Sequence, residues 1–203
     1  MHNETGFDEM RFVRQIRYHR LGAIGQQKLS EAHAAIVGCG ALGSTTAMSL
    51  TRAGIGRLTI IDRDVPEWSN LPRQFLFTEK DVCDGLPKAI IAEKRLKEID
   101  RNVQVIPHVR DLSAHNISDL LSSVDVIVDG TDNFETRFLV NDFSCRENIP
   151  WVYGGVIGAE GRVMAVIPGT TACLRCLIPE PPAPGSLPTC DTAGVLGAAV
   201  MVV

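Results

Sequence analysis

The sequence predicts a doubly wound, Rossmann-like α/β fold with a mostly parallel sheet, on three observations. A short apolar run at 34–37 ends at the glycine-rich loop 38–43, which has the pattern G-x-G-x-x-G. Small and apolar residues then recur at helical spacing over 44–51, and a second apolar run at 57–61 ends at Asp62, 19 residues beyond Gly43. A strand, a glycine turn and a helix N-terminus in this order form a phosphate site. A tight turn that packs helix on strand is the structural alternative.

The rest of the chain continues the alternation of strands and helices that is typical of a parallel sheet. Further strands are predicted at 103–107, 124–128, 150–153 and 162–167. Helices are predicted at 8–19, 26–30, 88–98, 113–121 and 135–148, with Ser113 as the N-cap of the fourth. The residues Gly158 to Gly161 indicate a hairpin turn, so the sheet should end in antiparallel strands at its C-terminal side.

Length and charge set the class of protein. With 203 residues the chain predicts a single domain, 1–203, with an N-terminal helical arm at 8–30 and a Cys/Pro-rich loop at 173–192. A net charge of −4 argues against a nucleic-acid partner. The longest apolar run, 193–203, has 11 residues, so no membrane association is expected and the cytoplasm is the expected location. Because the sequence stops inside that run, we expect it to be C-terminally truncated.

Four polar residues at predicted element ends or in a connection between elements are candidates for a ligand site. Asp62 stands where such folds place a carboxylate on a ribose hydroxyl. Arg73, in a long connection, offers forked donors for a phosphate. Lys88 lies in the first turn of a helix, where the dipole disfavours a cation, which suggests that it faces an anion. Asp132 follows the fourth strand and is predicted either to bind magnesium or to cap the next helix.

The N-terminal arm carries arginines at every third position: Arg11, Arg14, Arg17 and Arg20. This spacing places them along one flank of the first predicted helix. They form either a solvated basic face or an arm that reaches an anionic ligand.

Two of the six cysteines have metal-ligand spacing. Cys173 and Cys176 form a C-x-x-C motif, which supplies two of the four thiolates of a structural zinc site, and no second pair exists in the sequence. Zinc is therefore a doubtful cofactor for this chain. Cys39 and Cys145 lie in apolar patterns and are predicted to be core residues.

An ordered set of motifs resembles a known family. The motifs are RFVRQI at 11–16, GCGALG at 38–43, DRD at 62–64, WSNLPRQ at 68–74, GLPK at 85–88, GTDN at 130–133, CLRC at 173–176 and TCDTAG at 189–194. Together they resemble the ThiF/MoeB/HesA family, bacterial relatives of ubiquitin-activating enzymes. The Trp68 variant and the 190–194 loop are most similar to its thiazole-pathway branch. The resemblance implies ATP- and magnesium-dependent adenylation of the C-terminal glycine carboxylate of a ubiquitin-like sulfur carrier of ThiS or MoaD type.

The same resemblance implies roles for individual residues. The glycine loop would hold the nucleotide backbone through Gly38, Gly40, Ala41 and Gly43, where Ala41 replaces a glycine common in the family. Asp62 would bind ribose, and Ser69, Asn70 and Arg73 would line the nucleotide site. Lys88 would contact phosphate, and Asp132 with Asn133 would hold magnesium and nucleotide.

Two further residues are implied to act with partners. Arg14 resembles an arginine inserted into the neighbouring subunit's active site, which implies a homodimer. Cys190 matches a loop cysteine that in some members bonds covalently to the carrier or takes part in sulfur transfer.

Three other functions compete with adenylation of a carrier. An NAD-dependent oxidoreductase would use the glycine loop and Asp62 but would leave Arg73, Lys88 and Asp132 without a role. A truncated protein could bind nucleotide or carrier without turnover. A relative that adenylates a tRNA-linked carboxylate is disfavoured by the acidic charge and the Cys190 loop.

Overall fold

A computed structural model describes residues 9–183 and 190–203 of the chain. These residues form one six-stranded sheet in the order β3-β2-β1-β4-β5-β6. The strands are β1 (His33–Val37), β2 (Arg57–Ile61), β3 (Gln104–His108), β4 (Val126–Asp129), β5 (Trp151–Ile157) and β6 (Glu160–Val166). The first five strands run parallel and β6 pairs antiparallel to β5, as the sequence predicts.

Helices cover both faces of this sheet. The longer ones are α1 (Glu9–Ile16), α2 (Gly22–Glu31), α3 (Ala41–Ala53), α5 (Lys88–Ile99) and α7 (Phe134–Glu147). The shorter ones are a 3-10 turn (Trp68–Asn70), α4 (Glu79–Asp84), α6 (Ile117–Leu121), α8 (Leu174–Leu177), α9 (Cys190–Ala193) and α10 (Gly197–Val200). Among the described residues no helix has the length and apolar character needed to cross a membrane.

Strand β1 is buried on both sides because its residues alternate between two cores. Ala34 and Ile36 belong to a cluster that includes residues of α3 and α5. Ala35 and Val37 belong to a second cluster with residues of α6 and α7. A continuous apolar strand is what a sheet covered on both faces requires, and it explains why β1 was recognisable from sequence.

Several element-level predictions were wrong in instructive ways. Ser113 is not the N-cap of α6: the helix starts after Asn116, whose side-chain oxygen accepts from the Ser113 N–H. The first helix stops at Ile16, so Arg17 and Arg20 lie beyond it. The apolar run 193–203 does not form one continuous element: it contains the end of α9 and the short α10, with Val195 bridged to Gly158 between them.

Candidate functional site

A crevice of about 1390 Å³ opens where the carboxyl ends of β1, β2 and β4 meet. Strand β1 lies between β2 and β4, so the chain winds outwards from β1 in both directions. Ligands of open α/β sheets bind at this topological switch point, because the loops diverge there and leave a gap. The crevice therefore lies at the strand ends next to which the sequence analysis found the candidate residues.

Eight predicted residues line this crevice. They are Gly38, Gly40, Ala41, Asp62, Arg73, Lys88, Asp132 and Asn133. Ser69 and Asn70 line an adjoining recess of about 480 Å³, which shares Arg73, Lys88 and Asp132 with the main crevice. Five separate chain segments thus converge on one place, as the motif order implied.

Glycine is required at different positions of the loop for different physical reasons. Gly38 has a φ of +84°, a left-handed conformation that favours glycine. A Cβ on Gly43 would lie 1.8 Å from the Gly38 carbonyl oxygen, and one on Gly130 would lie 2.2 Å from the same atom. These three glycines let β1, α3 and the end of β4 touch. Gly40 has no such contact, since its nearest neighbours would be 3.8 Å from a Cβ. Its bare backbone faces the crevice instead.

Asp62 is buried and holds the glycine loop. Its Oδ2 accepts from the Cys39 N–H at 2.6 Å and its Oδ1 accepts from the Asp64 N–H at 2.7 Å. Burial raises the pKa of this carboxyl, while those two N–H donors and the nearby Lys88 charge oppose the rise. Each carboxylate oxygen can accept more than one hydrogen bond, so the group keeps capacity for a ligand hydroxyl.

Lys88 is a buried cation at the start of α5. Its residue is 5% exposed, its N–H donates to the Asp64 carbonyl at 2.7 Å, and its Nζ lies 3.5 Å from Asp64 Oδ2. A charge is rarely buried without a partner, and Asp64 is the partner here. Nearby, Arg73 donates from Nη1 to the Ser69 carbonyl at 2.8 Å, which holds the guanidinium beside the recess.

Asp132 and Asn133, which were predicted together to hold magnesium and nucleotide, have side chains in different situations. Asn133 is the N-cap of α7, because its Oδ1 accepts from the Thr136 N–H at 2.9 Å. That bond engages the amide oxygen of Asn133, while the residue still lines the crevice. Asp132 is exposed, does not cap the helix, and lines both the crevice and the recess. A carboxylate in this position suits Mg²⁺, which prefers oxygen ligands.

A buried ion pair behind this turn was missed by the sequence analysis. Arg137 Nε donates to Asp129 Oδ2 at 2.9 Å, and Nη2 donates to the carbonyls of Thr131 and Gly154 at 2.7 and 3.0 Å. Asp129 Oδ1 accepts from the Thr131 N–H and hydroxyl. The pair ties the Gly130–Asp132 turn to β5. The signal that could have found it is a strand-final Asp followed, after the turn, by an Arg one helical turn into α7.

The remaining predicted residues lie elsewhere or outside the description. Arg14 is exposed on α1 and is not among the crevice-lining residues. Cys190 begins α9, and its side chain lies outside the described residues. Cys39 is buried as predicted, and burial raises the pKa of its thiol, whereas Cys145 is exposed and the core prediction for it was wrong. Helix α7 turns Phe138, Asn141 and Ser144 inwards instead.

The C-x-x-C pair has a spacing compatible with zinc. Cys173 Sγ and Cys176 Sγ lie 3.8 Å apart, about the separation of two thiolates on one tetrahedral zinc with Zn–S bonds of about 2.3 Å. Within residues 9–183 and 190–203, however, no group of three or more His, Cys, Asp or Glu side chains could hold a metal ion. The described part of the chain thus presents half of such a site.

The strand order and the switch-point crevice define a doubly wound α/β protein of the Rossmann-like class. Within that class the particular family is clear from comparison with known proteins. The model of the ThiF family matches residues 12–203, and the chain belongs to the ThiF family.

Relatives and solved structures agree with this assignment. The chain is 48% identical to the sulfur carrier protein ThiS adenylyltransferase of Bacillus subtilis (strain 168), covering 95% of this chain and 57% of that protein. It is 40% identical to the sulfur carrier protein adenylyltransferase of Thermus thermophilus, covering 95% of this chain and 72% of that protein. The E. coli MccB structure with ATP superposes with a TM-score of 0.81 at 25% identity, over 96% of this chain and 60% of that one. The chain therefore spans somewhat more than half of several of the proteins it matches.

Proposed function

We propose that this chain adenylates the C-terminal carboxylate of a ubiquitin-like sulfur-carrier protein of ThiS or MoaD type, at the expense of ATP. The observation that carries the proposal is the convergence of the glycine loop, Asp62, Arg73, Lys88 and Asp132 on one crevice. The names of the relatives from B. subtilis and T. thermophilus support the carrier as substrate. The ATP in the similar MccB structure supports the nucleotide.

In the proposed reaction a carrier carboxylate oxygen attacks the α-phosphorus of ATP. A new bond joins that oxygen to phosphorus, the bond from the α-phosphorus to the bridging oxygen breaks, and pyrophosphate leaves with both electrons. Such transfer needs positioning and charge stabilisation rather than a general base. The open N-terminus of α3 and the Gly40 backbone would receive phosphate oxygens, and Asp62 would accept from ribose.

Charge stabilisation falls to the cations and to one carboxylate. Lys88 and Arg73 lie on the shared wall of the crevice and the recess, where they would contact phosphate oxygens. Asp132 would hold a magnesium ion, which supplies additional positive charge to the phosphates when bound. Asn133 caps α7 through its Oδ1 and lines the crevice, so its amide nitrogen would contact the nucleotide.

The proposal includes a homodimer in which Arg14 reaches the neighbouring subunit's crevice. Arg14 is exposed and lies away from the crevice of its own chain, so a contribution would have to come from a second copy. Mixing Arg14→Ala and Asp132→Ala proteins tests this. Mixed dimers should regain part of the activity that both variants lack, because one of their two sites is intact. No recovery in verified mixed dimers would contradict the shared site.

A cytoplasmic location is part of the proposal. It fits the free thiols of Cys39, Cys83, Cys145, Cys173 and Cys176, since a reducing compartment keeps such groups unpaired.

The decisive experiment is carrier-dependent exchange of labelled pyrophosphate into ATP, with ThiS-type and MoaD-type carriers supplied separately. Exchange with one carrier would support acyl-adenylate formation and identify that carrier. Binding of ATP without exchange would favour the alternative of a nucleotide- or carrier-binding protein without turnover.

Site variants sharpen the same assay. Arg73→Ala and Asp132→Ala should each lower the exchange rate by about 30- to 1000-fold, since one electrostatic contact of this kind contributes about 2–4 kcal/mol. Both should keep the fold by circular dichroism. Asp119→Ala, an exposed carboxylate on α6 away from the crevice, is the matched control and should exchange normally. Full activity of either site variant would remove that residue from the site.

Cys190 is tested separately from adenylation. Cys190→Ala should retain pyrophosphate exchange and lose any covalent carrier adduct, as detected by mass under non-reducing conditions. An adduct that persists in the variant would show that another residue forms it.

A further inference from the structure

Gln74 is a buried side chain at the crevice whose hydrogen bonding is incomplete. The residue is 4% exposed and lines both the main crevice and the adjoining recess. Its Oε1 atom is buried and makes no hydrogen bond within the described part of the chain. Buried side-chain oxygens in native proteins nearly always have a partner, so an orphan of this kind calls for a physical reason.

Backbone hydrogen bonds and buried neighbours fix the position of Gln74. Its N–H donates to the Asn70 carbonyl at 2.9 Å, and its own carbonyl accepts from the Phe77 N–H at 3.1 Å. Leu76 and Phe77, two and three residues further on, are buried in the core that also contains α3 and α5 residues. The backbone therefore holds the residue at the crevice, and the amide can move only by rotation about the side-chain torsions.

The Gln74 amide lies beside Gly40, the loop glycine that no close packing contact requires. Its Nε2 atom is 3.8 Å from the point that a Cβ on Gly40 would occupy. Gly40 is the residue before the first turn of α3, where a phosphate group would lie under the proposed function. An amide can donate from nitrogen and accept at oxygen, and rotation about its last torsion presents either atom to the crevice.

The neighbouring polar groups do not supply the missing hydrogen bond of the Gln74 amide. Arg73 donates to the Ser69 carbonyl, and the Lys88 ammonium lies beside Asp64. Within residues 9–183 and 190–203, three other buried side-chain atoms also have no hydrogen-bond partner, Thr51 Oγ1, Arg95 Nε and Trp151 Nε1, but none of these residues lines the crevice or the recess. Of these four described residues, Gln74 is the one that both has a buried atom without a hydrogen-bond partner and lines the crevice.

We propose that Gln74 is a nucleotide-binding residue whose amide hydrogen bonds are completed by bound ATP. The nitrogen donates to a phosphate oxygen at the Gly40 end of the crevice, and the oxygen accepts from a hydroxyl or a water held by the nucleotide. The identity of the ligand rests on the proposed function, whereas the incomplete amide does not. Without nucleotide, the same amide lowers the stability of the fold.

The test measures two quantities on each variant: the Kd for ATP with MgCl₂ and without carrier, by calorimetry, and the unfolding midpoint without nucleotide. Gln74→Met keeps the length of the side chain and removes its polar atoms. We expect its Kd to rise about tenfold, in keeping with the loss of one or two hydrogen bonds. Its unfolding midpoint should stay equal or increase, because an unpaired buried oxygen has been removed.

Thr51→Val is the matched control, because it removes another orphaned buried oxygen at a position away from the crevice. It should leave the Kd unchanged and leave the midpoint equal or higher. Gln74→Glu keeps the shape but adds a negative charge beside the phosphates, so it should weaken ATP binding more than Gln74→Met does.

Equal ATP affinity of wild type and Gln74→Met would overturn the inference alone. A Gln74→Met variant with lower stability than wild type would also overturn it, because the amide would then be a structural element. If Gln74→Met does not fold, Gln74→Glu decides on affinity alone. Failure of the wild-type protein to bind ATP would remove the proposed function together with this inference.

Discussion

Asp62 and Asp129 occupy equivalent places on either side of β1 but are used differently. Each stands at the carboxyl end of a parallel strand that pairs with β1, and each is more than nine-tenths buried. Asp62 accepts from two backbone N–H groups and faces the crevice. Asp129 is enclosed by Arg137 and Thr131, with no place among the crevice-lining residues.

The difference shows how one fold divides two similar groups between ligand and scaffold. A carboxylate held by neutral donors keeps its net charge and spare acceptor sites, so it can bind something else. A carboxylate paired with a buried guanidinium is satisfied internally and can be disrupted only at high cost. We therefore expect substitutions at Asp62 to affect ligand binding and substitutions at the Asp129–Arg137 pair to affect the fold.

The largest effect should come from Arg137→Ala. The Arg137 and Asp129 side chains are 8% and 2% exposed, and removal of one partner leaves an uncompensated buried charge. We expect a loss of about 3–5 kcal/mol in the free energy of unfolding, measured by urea denaturation.

The matched control is Arg175→Ala. Arg175 also pairs with an aspartate, donating from Nε and Nη2 to the two carboxylate oxygens of Asp142, but those side chains are 44% and 48% exposed. Its loss should cost far less stability than the loss of Arg137, because solvent screens an exposed pair. Equal losses in the two variants would mean that burial does not separate these pairs, and the scaffold role of Arg137 would be wrong.

Asp62→Asn should show the converse pattern. The amide retains one acceptor for the N–H groups of Cys39 and Asp64 and loses the other, so we expect about 1–2 kcal/mol of destabilisation. The loss of ATP affinity should exceed the loss of stability. We expect the Kd for ATP to rise about 10- to 100-fold, because a charged acceptor contributes about 1.5–3 kcal/mol. If calorimetry shows wild-type affinity for ATP, Asp62 does not contact the nucleotide.

The same comparison explains what the sequence could and could not predict. Strands, and Asp62 at its fixed distance from Gly43, follow from local pattern, because apolar runs and glycine turns are short-range signals. The Asp129–Arg137 pair was missed because a strand-final Asp and a later Arg become partners only through the way α7 packs against the sheet. The cap of α7 shows a related limit: the sequence offered Asp132 as a possible cap, and the path of the turn gives that place to Asn133.

The remaining sequence errors have the same origin. The long connection 65–84 contains a 3-10 turn and α4, both of which are held by capping side chains that pattern analysis did not weigh. Cys145 looked apolar in context, but its exposure depends on the rotation of α7. Tertiary packing thus fixed what periodicity left open, and the orphaned Gln74 oxygen emerged only from the packed structure.

The smallest expected effect is on the pH dependence of stability, where Asp62 and Asp142 should behave oppositely. Burial raises the pKa of Asp62 above the ordinary 3.8, so the folded state binds its proton more readily than the unfolded state. Its favourable contribution is then complete below pH 3.8 and is lost as the pH rises through the folded pKa. Wild type should therefore lose stability relative to Asp62→Asn as the pH increases above about 3.8.

For Asp142 the sign reverses, because the hydrogen bond from Arg175 lowers its pKa below 3.8. Its contribution is present above pH 3.8 and is lost as the pH falls through the folded pKa. Wild type should lose stability relative to Asp142→Asn on acidification below about 3.8, with a small amplitude because the pair is half exposed. Urea unfolding of both pairs of proteins between pH 3 and 7 tests the two slopes together. Slopes of the same sign would show that Asp62 is governed by a nearby cation and not by its burial.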